Sequence, residues 1–221
     1  MMNSSSWEAL LVEHVLVGRA RGRILGDMRS GKAWNCDLRT GDLFIGNDRY
    51  TVEILGTFSQ RDDSFLWAWA NPGAVEWDAS LPLVSSLRER AGRPGEGLFG
   101  QPEIRSSEVN PNELAYVAAE LLGEHPVFVG VYNGGAMFLL VTSLRIELDD
   151  LPDAYVPGIL SDVPAISGVN PRAAGRRFLE RLGFAVSDTD GGLRASRGAS
   201  TIVAAYDAAG RLERINATAA R

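Results

Sequence analysis

The sequence predicts an α+β protein in which antiparallel meander sheets are covered by helices. Three observations carry this. Apolar residues recur at helical spacing near 6–17, 81–91, 111–122 and 171–182. Between and after these segments the period drops to two, as in Trp34, Cys36 and Leu38 or Phe65, Trp67 and Trp69. The alternating runs are joined by short links bearing Gly, Asn and Asp, which fits hairpins and not parallel crossovers.

The first helix is read over 6–17, with Ser6 as its cap and Trp7, Leu10, Leu11, His14 and Val15 on one face. Residues 18–32 are basic and punctuated by glycine, and read as a loop. Strands follow. Trp34, Cys36 and Leu38 alternate with Asn35, Asp37 and Arg39; Tyr50, Val52, Ile54 and Phe58 alternate with Thr51, Glu53, Leu55 and Thr57. Phe65, Trp67 and Trp69 alternate with Leu66, Ala68 and Ala70. Turns fall at Gly41, Asn47-Asp48 and Arg61-Asp62-Asp63. A helix at about 81–91 carries Val84, Leu87 and Ala91 on one stripe, and residues 92–102 form the clearest linker. Asn110-Pro111-Asn112-Glu113 is a helix start: a cap, a proline in the first turn and a capping-box glutamate, with Gly123 as the stop. Two strands, 127–132 and 136–141, flank Asn133-Gly134-Gly135 and are apolar on both faces, which places them centrally in a covered sheet. Residues 149–168, with Pro152, Pro157 and Pro164, read as a short broken helix. Asn170-Pro171 repeats the cap-then-proline start, and that helix runs to Leu182. Hairpin strands close the chain near 184–188, 193–197, 200–206 and 211–217. Segments 6–70 and 171–217 therefore share a pattern, a helix followed by four short strands. The chain reads as one domain over 1–221, with 1–91 and 103–221 as similar halves on either side of the linker.

Composition narrows the function classes. A 221-residue chain with 45% hydrophobic and 23% charged residues can bury a core and is neither disordered nor a disulfide scaffold. A net charge of −6 argues against nucleic acid or an anionic membrane as partner. The single cysteine, Cys36, fits a reducing compartment. The opening Met1-Met2-Asn3-Ser4-Ser5-Ser6-Trp7-Glu8 lacks a basic region before its apolar stretch and does not read as a signal peptide. No apolar run is long enough to span a bilayer. The expectation is a cytoplasmic protein without a membrane segment.

Several motifs imitate chemistry. Gly26-Asp27-Met28-Arg29-Ser30-Gly31-Lys32-Ala33 nearly matches a phosphate loop, but Ala33 stands where a magnesium-ligating hydroxyl belongs, and a strand follows where a helix should. Gly95-Glu96-Gly97-Leu98-Phe99-Gly100 has the dinucleotide spacing without the strand before it or the helix after it, and reads as a flexible linker. His14 sits on an apolar helix face, His125 precedes a proline, and Cys36 alternates with Trp34 and Leu38 as a small hydrophobe. No ligand spacing suits a metal, and no cofactor is implied. The basic runs Arg19, Arg21, Arg23, Arg29, Lys32 and Arg172, Arg176, Arg177, Arg181 lack interleaved aromatics and read as solvated surface or as contacts for an acidic protein.

Phe65-Leu66-Trp67-Ala68-Trp69-Ala70-Asn71-Pro72 is the most unusual segment. Its aromatics serve either a core or an aromatic groove for a ligand or partner; in the second case Trp67 and Trp69 line the groove and Asn71 sits at its rim. Asn71 also suits an Asx turn before Pro72. Together with Trp34-x-x-Asp37, Gly41-x-Leu43, Leu55-Gly56, Leu121-Leu122-Gly123, Phe138-Leu139-Leu140 and Leu182-Gly183-Phe184, this segment resembles an uncharacterised bacterial family, a domain of unknown function marked by a Trp-x-Trp-Ala-Asn strand. The resemblance implies a shared fold and no established activity, so no catalytic residue carries over. The expectation is a non-catalytic protein that binds another protein or itself, as an inhibitor or immunity-type partner would. The alternative is a small-molecule binder or an enzyme using a Trp67/Trp69 pocket.

Overall fold

The computed structural model describes residues 4–75, 82–163, 166 and 168–218. Pro164, the Leu81 start of the 81–91 helix and the opening Met1-Met2-Asn3 lie outside the described residues. The first helix, α1, runs from Ser4 to Arg29. Trp7, Leu11 and Val15 are buried on one face, as their spacing requires. The helix does not stop at residue 17; the expected loop at 18–32 is helical as far as Arg29. Leu25 continues that face, and Ala20 is buried on the opposite side of the helix. Gly18 and Gly22 are packing positions, because an added Cβ would lie 2.8 Å and 3.2 Å from Tyr116.

The antiparallel strands β1 (Trp34–Asp37), β2 (Asp42–Ile45), β3 (Asp48–Ser59), β4 (Ser64–Trp67), β5 (Glu103–Arg105), β6 (Val127–Tyr132) and β7 (Gly135–Val141) build a seven-stranded sheet. The long β3 organises it. Residues 48–51 pair with β2, residues 56–59 with β4, and residues 52–59 carry β7. A bulge between Ile54 and Gly56 lets one strand serve these partners. Gly56 is required there, since an added Cβ would lie 2.3 Å from Cζ of Phe65. β7 is internal, but β6 pairs with β7 alone and is an edge, contrary to the expectation of two central strands.

The tryptophan strand is shorter than its alternation suggests. β4 ends at Trp67, and residues 68–70 form a 3-10 turn closed by Asn71 N donating to Ala68 O at 3.1 Å. Pro72 restricts Asn71 to extended backbone, so the chain turns away there into α2 (Pro72–Val75) and then α3 (Pro82–Arg90). α3 is capped from a distance: Glu53 Oε2 accepts from Leu83 N and Val84 N, both at 3.2 Å. Burial pushes the Glu53 carboxyl upward, against these two bonds. The linker reading of 92–102 is also overturned. Residues 97–100 make a 3-10 turn whose Leu98 and Phe99 are wholly buried, and Arg90 brackets Glu96 beside it.

Helix α4 (Pro111–Leu121) starts as expected, with Asn110 Oδ1 accepting from Asn112 N at 2.9 Å. Two 3-10 turns precede the short α5 (Val156–Ser161). In α6 (Pro171–Arg181), Asn170 Oδ1 accepts from Ala173 N at 3.0 Å. The remainder is a four-stranded meander of β8 (Ala185–Thr189), β9 (Gly192–Arg197), β10 (Ser200–Tyr206) and β11 (Leu212–Thr218), close to the expected bounds. Helix-then-meander thus occurs twice, yet β5, β6 and β7 complete the first sheet from beyond the 92–102 segment. A cut at that segment would divide the sheet.

An aromatic cluster sits at the centre. Trp67 meets Phe65 at 4.9 Å and Phe99 at 5.7 Å, edge to face; Phe65 meets Phe138 at 5.4 Å, and Phe99 meets Trp7 of α1 at 6.4 Å.

Candidate functional site

Glycines 18, 22 and 26 repeat every four residues and so share one face of α1. Tyr116 of α4 lies along that face. An added Cβ would be 2.8 Å from it at Gly18 and 3.2 Å at Gly22, but would meet nothing within 4 Å at Gly26. Tyr116 therefore fills the stripe only part of the way. Beyond it opens a groove of about 550 Å³, walled by Arg19, Arg23 and Asp27 of α1, Asn110, Asn112, Glu113 and Tyr116 at α4, and Asp162 after α5. Gly22 and Gly26 also floor a second hollow of about 170 Å³, which reaches Leu25, Arg29 and residues 127–129 of β6. The two hollows adjoin at Gly22, Gly26 and Tyr116 and together follow α1 from Arg19 to Arg29.

Its charges are unequally matched. Arg19 is paired with Asp162 at 3.0 Å. Arg23 rests 5.5 Å over the Tyr155 ring, and the Tyr155 hydroxyl bonds to Asp27, which raises that phenol. Arg29 lies 5.1 Å over the Phe128 ring. Among the described residues, neither Arg23 nor Arg29 is paired with a carboxylate. Burial raises the Tyr116 phenol, so at neutral pH it is a hydrogen-bond donor and no base. Guanidinium, amide and phenol groups in a row suit the holding of a polar chain.

The glycine pair makes a prediction of opposite signs on one helix. Gly26→Ala should stabilise by about 0.5–1 kcal/mol through helix propensity, since its Cβ enters open space. Gly18→Ala should destabilise by about 1–3 kcal/mol, because the overpacking against Tyr116 outweighs the same propensity gain. Urea midpoints compared at constant slope check both.

The residues singled out by sequence are not brought together. Trp67 is 0% exposed, and its Nε1 donates to Leu98 O at 3.3 Å. It has no surface to offer a ligand. Trp69 is half-buried beneath Arg88, which sits 5.2 Å over its ring. Asn71 makes the Asx turn, Oδ1 accepting from Gly73 N at 3.0 Å. The other motifs resolve into architecture. Residues 26–29 of the phosphate-loop imitation are the end of α1, where the helix dipole repels phosphate, and Lys32 pairs with Asp48 at 3.2 Å. Gly95 approaches the Ser6 carbonyl closely, an added Cβ lying 2.6 Å from it. Arg177 pairs with Glu13, Arg172 and Arg176 with Asp188, and Arg181 with Glu124, so the basic face of α6 is matched by carboxylates. Among the described residues, no three His, Cys, Asp or Glu side chains are grouped as metal ligands.

Cys36 is half-buried, and burial, with Asp37 and Asp42 adding to it, pushes its thiol up to about 11. No histidine bears on it. At pH 8 it should be alkylated by iodoacetamide roughly a hundredfold more slowly than an unperturbed thiol, read by intact mass against time.

Reasoning from sequence missed the groove itself. Its signal was the four-residue glycine spacing at 18, 22 and 26, which reads as loop punctuation unless the helix is already known to continue.

The fold and groove define a two-sheet α+β protein with a helix-lined surface groove. Residues 8–144 match the model of a family of unknown function, DUF6882, and the chain belongs to that family. The match covers α1 through β7, hence the whole seven-stranded sheet; Leu182-Gly183-Phe184, α5, α6 and the second sheet lie beyond it. No curated protein and no solved structure matches the chain. The residues that carried the resemblance build the fold. Trp34 meets Phe128 edge to face at 5.1 Å, Asp37 Oδ1 accepts from Arg39 N in its turn, Gly41 takes φ +69°, and Leu55-Gly56 forms the bulge.

Proposed function

We propose that this chain is a non-catalytic interaction protein that takes a segment of a partner protein in the α1 groove. The continuity of the groove supports this reading, since Gly22 and Gly26 line both of its hollows. From Arg19 to Arg29 α1 rises about 15 Å, the length of four or five extended residues. An extended chain suits that length better than a compact metabolite does. The pairing of the α6 arginines with carboxylates counts against nucleic acid as the partner. The single cysteine favours a reducing compartment. Among the described residues, no helix is long and apolar enough to cross a membrane.

Gly26→Phe tests the reading, because Gly26 lines both hollows and a Cβ there enters open space. Affinity capture from a lysate of the source organism should yield a chain with the wild type that is absent with Gly26→Phe, at equal unfolding midpoints. An identical capture profile overturns the proposal. So does a native mass spectrum in which the wild type retains a small molecule that Gly26→Phe expels. If the captured chain is an enzyme, loss of its activity on binding would make the role that of an inhibitor.

A further inference from the structure

Among the described residues β6 has no strand partner but β7, and two hydrogen bonds fix which of its residues face outward. Val141 N donates to Pro126 O at 3.0 Å, so residue 126 points at β7. Orientation alternates along an antiparallel ladder, so Phe128, Gly130 and Tyr132 also point at β7, while Val127, Val129 and Val131 point away. The second bond agrees: Arg29 Nη1 donates to Val129 O from outside at 3.3 Å. Val131 has no such cap and is 70% exposed, and Tyr132 beside it is 46% exposed.

This edge is unlike one that stands alone in water. Its sequence, VFVGVY, carries no charge, whereas exposed edges are ordinarily blunted with lysine, proline or an inward charge. Arg29 touches this edge and rests on the Phe128 ring, and Arg23 lines the adjoining hollow over the Tyr155 ring; neither is paired with a carboxylate among the described residues, while Arg19 and Arg21 are both paired. They stand about 9 Å apart along the helix. Asp27, between them, is engaged by the Tyr155 hydroxyl.

We propose that the occupant of the groove is an acidic, extended segment of a partner protein that adds as a strand to the edge of β6, with Arg23 and Arg29 receiving its carboxylates. This rests on the groove being a partner-binding site. Main-chain bonds to Val129 N and to Val131 N and O would supply affinity, and the two arginines the sign of the charge. A second copy pairing edge to edge would set Arg29 against Arg29, so charge complementarity selects an acidic strand over self-association.

The probe is a blocked octapeptide of alternating valine and glutamate, with its valine–lysine counterpart as control, titrated into the labelled full chain and followed by amide NMR. The glutamate peptide should move the Val127, Val129 and Val131 amides, and the lysine peptide should not. Val131→Pro deletes only the outward N–H, which β7 does not use, and should weaken binding at least tenfold. Arg29→Glu should reverse the preference between the two peptides, which keeps the test decisive if the proline variant is unstable. Equal shifts from both peptides, shifts away from β6, no shift at millimolar peptide, or a dimer abolished by Val131→Pro would each overturn strand addition. If Gly26→Phe loses the captured chain while the peptide leaves β6 unmoved, the groove reading stands and strand addition falls. Failure of both experiments removes the site.

Discussion

Trp67→Ala should cost about 3–5 kcal/mol, enough to leave the protein marginal at 37 °C. The indole has no exposed surface and is enclosed edge to face by Phe65 and Phe99. It also joins β4 to the 97–100 turn, because its Nε1 is the donor to Leu98 O. Alanine removes the buried area, opens a cavity and leaves that carbonyl without its partner. Trp69→Ala should cost much less, since its ring is partly solvated under Arg88 and, among the described residues, its Nε1 has no hydrogen-bond acceptor. Urea unfolding followed by circular dichroism separates the two. A Trp67→Ala midpoint within about 1 kcal/mol of wild type would remove Trp67 from the core and return it to the candidate ligand sites.

The same residue shows what the sequence could and could not disclose. Alternation placed Phe65 and Trp67 together on a buried face correctly, because a strand's two faces are decided locally. It carried Trp69 along wrongly, because the turn at 68–70 is set by Pro72 and by packing beneath α3. The C-terminal meander was legible to within a residue or two, since each turn there holds its own glycine or Asn/Asp signal. Both asparagine-proline helix starts were legible for the same reason. α1 was not. Gly18 and Gly22 are glycines because of Tyr116, nearly a hundred residues away, and no local rule distinguishes such a glycine from a helix breaker. The 92–102 segment offered only Leu98 and Phe99 among glycines and prolines, and those two residues carry its burial. The groove was illegible as a site because its walls come from three helices and a strand edge. The resemblance was legible because its residues are turn and core residues, and for that reason it conveys a fold and no chemistry.

Arg21→Met should be the most damaging single change on α1, at about 3–5 kcal/mol at pH 7. The side chain is 2% exposed and directs Nε to Ile146 O, Nη1 to Glu120 and Nη2 to Glu124, at 2.9, 2.5 and 2.9 Å. Glu120 is 1% exposed, and burial raises its carboxyl despite the guanidinium against it. Removing Arg21 strands that carboxylate, with only Arg181 at 3.9 Å to compensate. The pH dependence has a definite sign. An acid whose folded-state pKa is raised favours folding below its unfolded value and loses that contribution as pH rises through the folded value. The cost of Arg21→Met should therefore shrink as pH is lowered from 7 towards 4.5, where Glu120 can take up a proton. Arg21→Met/Glu120→Met should recover most of the loss at pH 7, because neither buried charge remains. Denaturation of the three variants at pH 7 and pH 5 decides it. A pH-independent cost, or a double variant no better than the single one, would show that Arg21 acts through Ile146 and packing alone. If the coupling holds, Arg21, Glu120, Glu124 and Arg181 form the bolt between the family unit and α6. The same bolt holds α1 in the straight run that the groove requires.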